Sequence, residues 1–400
     1  MKILQINAVI KNKSTGRTVS EVSEAIVKSG NESFIAYGQE KDNNDSSYFI
    51  GNLIDHKTHA LFSRVFGLPG YFSRAATQGL IKYIEKISPD IVHLHNLHSN
   101  YVNINMLLKY LAKKDIATVI TLHDCFMFTG KCTHYTAIGC DKWQIECGDC
   151  PRKKMDNPSL FFDYTRKMLK DKSDCYKNFN KLGVIGVSNW ITNEAKKSIL
   201  QNATKIKRIY NWIDFDIFFP LSNNLKSQMK IKENFVILGV ASTFSESKGL
   251  KDFIKLSEII DDSFKIVIVG NIDKSILPNN IISINATKDV KKLASYYNMA
   301  DVFLNLSLEE TFGKVTAEAL ACGTPAIVYN STASPELIGK NCGYVIEPNN
   351  VTDVFQKIQE IKNNGKEFYA NSCLRFAKDN FCKEKCINQT LEFYKDLLNG

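Results

Sequence analysis

Short apolar runs separated by amphipathic stretches mark the first half of the chain, at residues 3–9, 33–36, 91–94, 118–122 and 183–187. Each is about the length of a strand. Continuous apolar character, rich in β-branched residues, is how strands buried on both faces of a parallel sheet read. The first half is therefore expected to be a doubly wound α/β domain. The pattern stops at Phe218-Phe219-Pro220 and the polar stretch from Ser222 to Lys232, then restarts at residues 236–240, 264–269, 281–284, 302–306 and 325–329. This predicts two Rossmann-like domains, 1–218 and 219–380, joined by a linker near 215–233. An amphipathic segment at about 382–398, within the last stretch 381–400, reads as a closing helix able to cross back to the first domain.

Composition narrows the class. A chain of 400 residues suits two domains, and 44% hydrophobic with 23% charged residues excludes disorder, while no fixed-period repeat suggests a solenoid. Met1-Lys2-Ile3-Leu4-Gln5-Ile6-Asn7 reads as a buried strand rather than a signal peptide, and no stretch approaches the roughly 20 apolar residues of a membrane helix. Eleven cysteines, an odd number, fit a reduced compartment. The expected location is cytoplasmic, extending to the inner face of the cell membrane. The net charge of +9 collects in Arg152-Lys153-Lys154, Arg166-Lys167, Lys196-Lys197 and Lys205-Ile206-Lys207-Arg208. Such clusters are either a solvated face or an attraction for anionic lipid head groups and phosphate-bearing substrates. No nucleic-acid module accompanies them, so nucleic acid is not an expected partner.

Ligands of open parallel sheets bind beyond the carboxyl ends of the strands. The most informative such place is Asn305-Leu306-Ser307-Leu308-Glu309-Glu310-Thr311-Phe312-Gly313-Lys314-Val315-Thr316-Ala317-Glu318-Ala319-Leu320-Ala321-Cys322-Gly323-Thr324-Pro325. It reads as a strand, a loop holding Glu310, and a helix from about Gly313 to Cys322 with Gly323 as its left-handed cap. Backbone N–H groups at a helix start, beside a glycine that permits close approach, suit a diphosphate. Glu318 is expected at the end of the second helical turn, on the order of 10 Å along from Glu310, so that one carboxylate reaches a sugar and the other a ribose. A glycosidase pair, with carboxyls about 5 to 9.5 Å apart, is the less natural reading.

This segment resembles the Glu-x7-Glu signature of glycosyltransferase family 4, and Ile237 to Leu250 and Ile209 to Pro220 resemble two further family segments. The resemblance implies a GT-B fold, two Rossmann-like domains facing each other across a cleft, and retaining transfer from a nucleotide sugar. It assigns Glu310 to the transferred sugar, Phe312, Gly313, Lys314 and Val315 to the phosphates through backbone groups, and Glu318 to the ribose. Lys248 would neutralise the leaving diphosphate. Ser242 stands where the family more commonly has an arginine, and Trp212 replaces a usual glycine between Asn211 and Asp214, which are read as hinge residues. No catalytic cofactor is implied.

In the first half, Gly16 in the loop from Lys11 to Arg17 stands where a donor phosphate could approach a helix start. His123 and Asp124 follow one apolar run, and the resemblance makes His123 the active-site histidine near the donor sugar. His93, His95 and His98 lie at the end of the preceding run, where three histidines could suggest a metal site; His93 and His95 share a strand face, and Asp90 to His95 resembles the family's Pro-Asp-Ile-Val-His-x-His stretch, which implies that His95 and Asn96 line the acceptor cleft. Cys132, Cys140, Cys147 and Cys150 fit a structural zinc site, free thiols or disulfides. Residues 59–72 mix aromatics with cations, which suits either a membrane interface or a partly buried insertion. Asp124 to Gly130 and Gly139 to Trp143 resemble family members of exopolysaccharide and O-antigen assembly. The expected activity is hexosyl transfer from a UDP- or GDP-sugar to an undecaprenyl-linked or oligosaccharide acceptor, with peripheral contact to an anionic membrane. The rivals are a nucleotide-sugar epimerase or hydrolase and a non-catalytic sugar-nucleotide-binding subunit.

Overall fold

Runs apolar on both faces demand cover on both faces, and two all-parallel sheets supply the setting. The computed structural model describes residues 1–11, 13–39 and 47–400. The first compact unit comprises Met1–Ile209 and Ile387–Gly400. Its strands are β1 (Lys2–Asn7), β2 (Glu32–Tyr37), β3 (Ser47–Phe49), β4 (Ile91–Leu94), β5 (Ala117–Leu122), β6 (Leu182–Gly186) and β7 (Lys205–Arg208). They pair in parallel in the order β3-β2-β1-β4-β5-β6-β7. Ile91, Val92 and Leu94 of β4 and Val119, Ile120 and Leu122 of β5 are wholly buried.

The second unit is Tyr210–Cys386. It contains β8 (Phe235–Thr243), β9 (Phe264–Asn271), β10 (Ile281–Ile284), β11 (Val302–Asn305), β12 (Ala326–Tyr329) and β13 (Gly343–Ile346), again parallel, in the order β10-β9-β8-β11-β12-β13. Strand order reverses between β1 and β4 in one sheet and between β8 and β11 in the other. Ligands of such sheets bind at the carboxyl edge, at the point of reversal.

Three strands escape the apolar-run reading, and all three lie at sheet edges: β3, β7 and β13. An edge strand is covered on fewer sides, so its composition carries less signal. Lys205-Ile206-Lys207-Arg208, read above as surface charge, is β7; cations on an edge discourage pairing with another chain. Lys205 also pairs with Asp396 at 2.5 Å.

The boundaries differ from expectation as well. The second unit begins at Tyr210, not 219, because the backbone N–H of Ile213 donates to Phe381 O at 2.9 Å and Ile213 bridges Cys382. Trp212, Ile213 and Phe218 are buried there. The stretch 210–218 is thus part of a packed unit. The last helix, Lys383–Asn399, enters the first unit from Ile387. Its Phe393, Tyr394 and Leu397 are buried.

Gly183 of β6 makes that docking possible. A Cβ added there would lie 2.6 Å from Phe393 Cε1 and 3.0 Å from Leu397 Cδ2. Gly183→Ala is expected to cost about 1–3 kcal/mol through overpacking, read as a lowered midpoint in thermal denaturation. Adding Phe393→Leu should recover part of the loss; a double variant no better than the single one would sink the packing account.

Candidate active site

In the second unit the loops after β8 and β11 meet at the point of reversal. Gly249, with φ +75°, closes the β8 loop, and a Cβ there would stand 2.5 Å from both Cβ and O of Leu306. Leu308 N–H donates to Ser247 O at 2.9 Å, tying the two loops together. The result is an ion pair between Lys248 Nζ and Glu310 Oε1 at 2.5 Å, with Lys248 also 3.4 Å from Glu309 O. The side chains are 32% and 17% exposed, accessible yet screened less than surface charges. A third loop, after β12, holds Glu310 in place: its N–H donates to Thr332 Oγ1 at 2.8 Å, and Ala333 N–H donates to Glu310 O at 3.2 Å.

The helix that follows is Lys314–Ala321, capped by Gly313 at φ +88° with no side chain closing its N-terminus. A helix start that no side chain closes suits an anion such as a diphosphate. Gly323 takes the left-handed conformation after the helix, φ +72°, as expected. Phe312 is buried against Tyr210 and Phe381, so its side chain is an anchor and only its backbone is available to a ligand. Val315 is partly exposed on the first turn.

Glu318 departs from expectation. It opens the second turn rather than ending it, is 4% exposed, and accepts a hydrogen bond from buried Tyr297 Oη at 3.0 Å. As it stands the carboxylate braces the helix against its neighbour; burial and this carboxylate push the Tyr297 hydroxyl well above its ordinary range. Ser242 lies on the exposed end of β8, beyond a register shift, rather than in a loop. The only arginine of the second unit is Arg375, on helix Lys366–Phe381.

In the first unit, the ends of β4 and β5 bring three imidazoles into a row. His93 is buried between Tyr394 Oη, 2.6 Å from Nδ1, and Thr121 Oγ1, 2.7 Å from Nε2. The rings of His93 and His95 are 4.1 Å apart, and His95 Nδ1 lies 3.0 Å from His123 Nε2. His95 is 2% exposed, so it does not line an open surface; it acts on the partly exposed His123. Its Nε2 is buried without a hydrogen-bond partner among the described residues. Asn96 is partly exposed, its N–H held by Asn7 Oδ1 at 3.3 Å. Asp124 turns to His98 at 3.5 Å and to Phe126 N–H at 2.9 Å. Tyr394 and Thr121 were invisible as site residues, since nothing local links position 394 to position 93.

Gly16 lies in the first turn of helix Lys13–Lys28, not in a loop before it; Asn12 falls outside the described residues. A Cβ on Gly16 would come 3.2 Å from Lys11 N and Val9 Cγ2, so close helix packing already accounts for the glycine. Arg152, read as surface charge, is 4% exposed and paired with Asp156 at 3.2 Å. Cys132, Cys140, Cys147 and Cys150 line one cavity of about 20 Å³. As their side chains stand, no group of three or more His, Cys, Asp or Glu is positioned to hold a metal ion among the described residues.

Comparison with known proteins bears on the family and the fold. Residues 15–217 match the family model Glycosyltransferase Family 4, and residues 222–379 match Glycosyl transferases group 1. WcaC of Escherichia coli (strain K12), a glycosyl transferase assigned to colanic acid biosynthesis, is 22% identical over 371 residues, 89% of this chain and 90% of that protein. N-acetyl-alpha-D-glucosaminyl L-malate synthase of Bacillus anthracis is 26% identical over 369 residues, 87% and 85% of the two chains. Among solved structures, sucrose-phosphate synthase from Thermosynechococcus elongatus superposes with a TM-score of 0.72 at 16% identity, covering 100% of this chain and 99% of that one. Anabaena HepE in complex with UDP-glucose gives 0.65 at 16% identity over 99% and 100%. Both sheets thus share the GT-B fold.

The buried imidazoles make stability depend on acid. Burial, then the nearby His123, pulls His93 down to about 3, and burial, then His56, pulls His59 down to about 4. Both fall below the unfolded value near 6.5, so the unfolded chain binds more protons and their contribution, whole above about pH 6.5, is lost as pH falls toward 4. Near pH 5 each is expected to cost about 2 kcal/mol. Urea denaturation at pH 7 and about 5 should show the drop, and His93→Asn should reduce it while leaving the His59 share; an equal drop in that variant would refute the assignment.

Proposed function

The chain belongs to glycosyltransferase family 4, and we propose that it transfers a hexose, with retention, from a UDP- or GDP-sugar to a lipid-linked oligosaccharide in surface polysaccharide synthesis. The observation that carries this reading is the Lys248–Glu310 pair at 2.5 Å beside a helix N-terminus that no side chain caps. The amides of Phe312 to Val315 and the Lys248 ammonium would take the diphosphate, where negative charge grows as the sugar leaves. Glu310 would hold sugar hydroxyls, and His123, steadied by His95, would stand near the transferred sugar. In the reaction the bond from the anomeric carbon to phosphate breaks, a bond to the acceptor oxygen forms on the same face, and the acceptor proton passes to the released nucleoside diphosphate. The site needs no carboxylate nucleophile for this, and Glu310 orients and stabilises.

Support for the donor comes from HepE, a neighbour in fold described in complex with UDP and with UDP-glucose. Support for a polysaccharide role comes from WcaC and from O-antigen chain mannosyltransferase B of Escherichia coli, 34% identical over 103 residues, a quarter of each chain. Support for a membrane-borne acceptor comes from the surface. Helix Leu53–Phe66 and residues 155–162 expose Leu61, Phe62, Phe66, Leu160, Phe161 and Phe162 together, with Phe66 stacked on Phe162 at 6.1 Å. Arg64 on the helix and Lys154, immediately before residue 155, are exposed. His59, by contrast, is buried and pinned by Ser73 Oγ at 2.7 Å, so residues 59–72 are part insertion and part exposed aromatic surface. Apolar area with flanking cations suits an anionic interface.

A nucleotide-release assay over UDP- and GDP-sugars with undecaprenyl-linked acceptors tests the chemistry. One donor should give acceptor-dependent release, reduced about 10²- to 10³-fold by Lys248→Ala and strongly by Glu310→Gln. Release without acceptor would favour a hydrolase, and donor binding with no release under any acceptor would favour a non-catalytic subunit. Separately, co-sedimentation with vesicles containing anionic lipid should fall several-fold in Phe161→Asp/Phe162→Asp while donor binding persists. Equal sedimentation of that variant and the parent would remove the membrane reading.

A further inference from the structure

The connection from β5 to helix Thr165–Tyr176 runs over residues 123–164 with only two short 3₁₀ turns, at Thr136–Ile138 and Lys142–Gln144. A span this long without regular structure needs an internal fastening. Four cysteines sit inside it. All are unpaired and partly buried, and all line the same cavity of about 20 Å³ together with Trp143, room for one ion. The thiol of Cys150 meets that of Cys132 and accepts from the backbone N–H of Arg152, while Cys147 accepts from Gly130 N–H. Gly148 at φ +140° and Asp149 at φ +44° turn the chain sharply between Cys147 and Cys150.

Two independent features favour a charged occupant. Lys131 and Lys172, 1% and 3% exposed, donate hydrogen bonds to carbonyl oxygens: Lys153 O and Asn157 O for the first, Phe126 O and Gly130 O for the second, whose ammonium also lies 4.3 Å from the centre of the Phe126 ring. Neither has a carboxylate at ion-pair distance among the described residues. A buried ammonium with no carboxylate in contact is costly. Trp143, 1% exposed, has an indole N–H with no hydrogen-bond partner among the described residues, the kind of donor that a thiolate sulfur satisfies.

We propose that Cys132, Cys140, Cys147 and Cys150 bind one structural zinc ion. Four thiolates and Zn²⁺ carry a net charge of minus two, which Lys131 and Lys172 balance. The thiols are not at ligand separation as they stand, so binding draws them inward by side-chain rotation across the cavity they share. The ion then fastens the loop that leaves the strand bearing His123.

The test is metal analysis of the full-length protein purified under reducing conditions without chelator, followed by exchange of the metal for cobalt(II). The expected result is one zinc per chain and, with cobalt, the intense sulfur-to-metal charge-transfer bands of tetrahedral thiolate ligation. Cys140→Ser should weaken retention at least tenfold, whereas Cys140→His, which keeps a zinc ligand, should restore it. Should either variant fail to fold, the wild-type cobalt spectrum decides alone. Wild-type protein that retains no zinc and takes up no cobalt, its four thiols freely alkylated or joined as disulfides by mass spectrometry, overturns the proposal.

Discussion

The reversal of strand order within each parallel sheet is the constraint on which the rest of this molecule depends. Parallel strands send every following loop to the same edge, and ligands bind there at the point where the order reverses. In the second unit that point lies between β8 and β11, and the chain places Lys248 after one strand and Glu310 after the other. The approach is close because Gly249 has no side chain: its α-carbon faces Leu306 at a separation no Cβ could share. A cation and a carboxylate 62 positions apart in sequence are thereby set at 2.5 Å. In the first unit the same reversal, between β1 and β4, ties Asn96 to Asn7 and starts the histidine row that ends at His123.

How much of this the sequence discloses depends on whether each partner is local. Central strands are legible because burial on both faces leaves a continuous apolar run, and β4 falls at the expected residues. Among the edge strands β10 is legible as well, but β7, with its cations, and β13, which begins at Gly343, whose Cβ would lie 1.7 Å from Ala326 O, are not. The Glu310-to-Gly323 segment is legible because loop, helix start and cap follow one another directly along the chain. Glu318 is where that reading stops: its position on the helix is readable, but Tyr297, which occupies its carboxylate, comes from a different helix. The same holds for His93, whose partner Tyr394 lies 301 positions away.

Charge shows the same limit. A count of lysines and arginines cannot separate Arg152, buried on Asp156, from Lys154 on the surface, nor foresee that Lys131 and Lys172 would be sunk among carbonyl groups. Burial decides what a charge is worth. An exposed lysine is solvated at little cost, whereas a buried one needs a counter-charge or a set of dipoles aimed at it. The long β5 connection therefore poses an electrostatic question as well as a folding one, and thiols of the cysteine cluster act on both lysines.

The Lys248–Glu310 pair has a further consequence for a transferase. With no donor present, each group satisfies the other, so neither is left with an uncompensated charge in a half-buried place. A diphosphate at the uncapped start of helix Lys314–Ala321 offers Lys248 a doubly charged partner, stronger than one carboxylate. On the proposed reading Lys248 would turn toward it, and Glu310 would lose its cation and gain the capacity to accept hydrogen bonds from sugar hydroxyls, while Thr332 and Ala333 hold its backbone. The carboxylate would then be freed for the sugar by the arrival of the phosphates, so that the two halves of the donor would be recognised together.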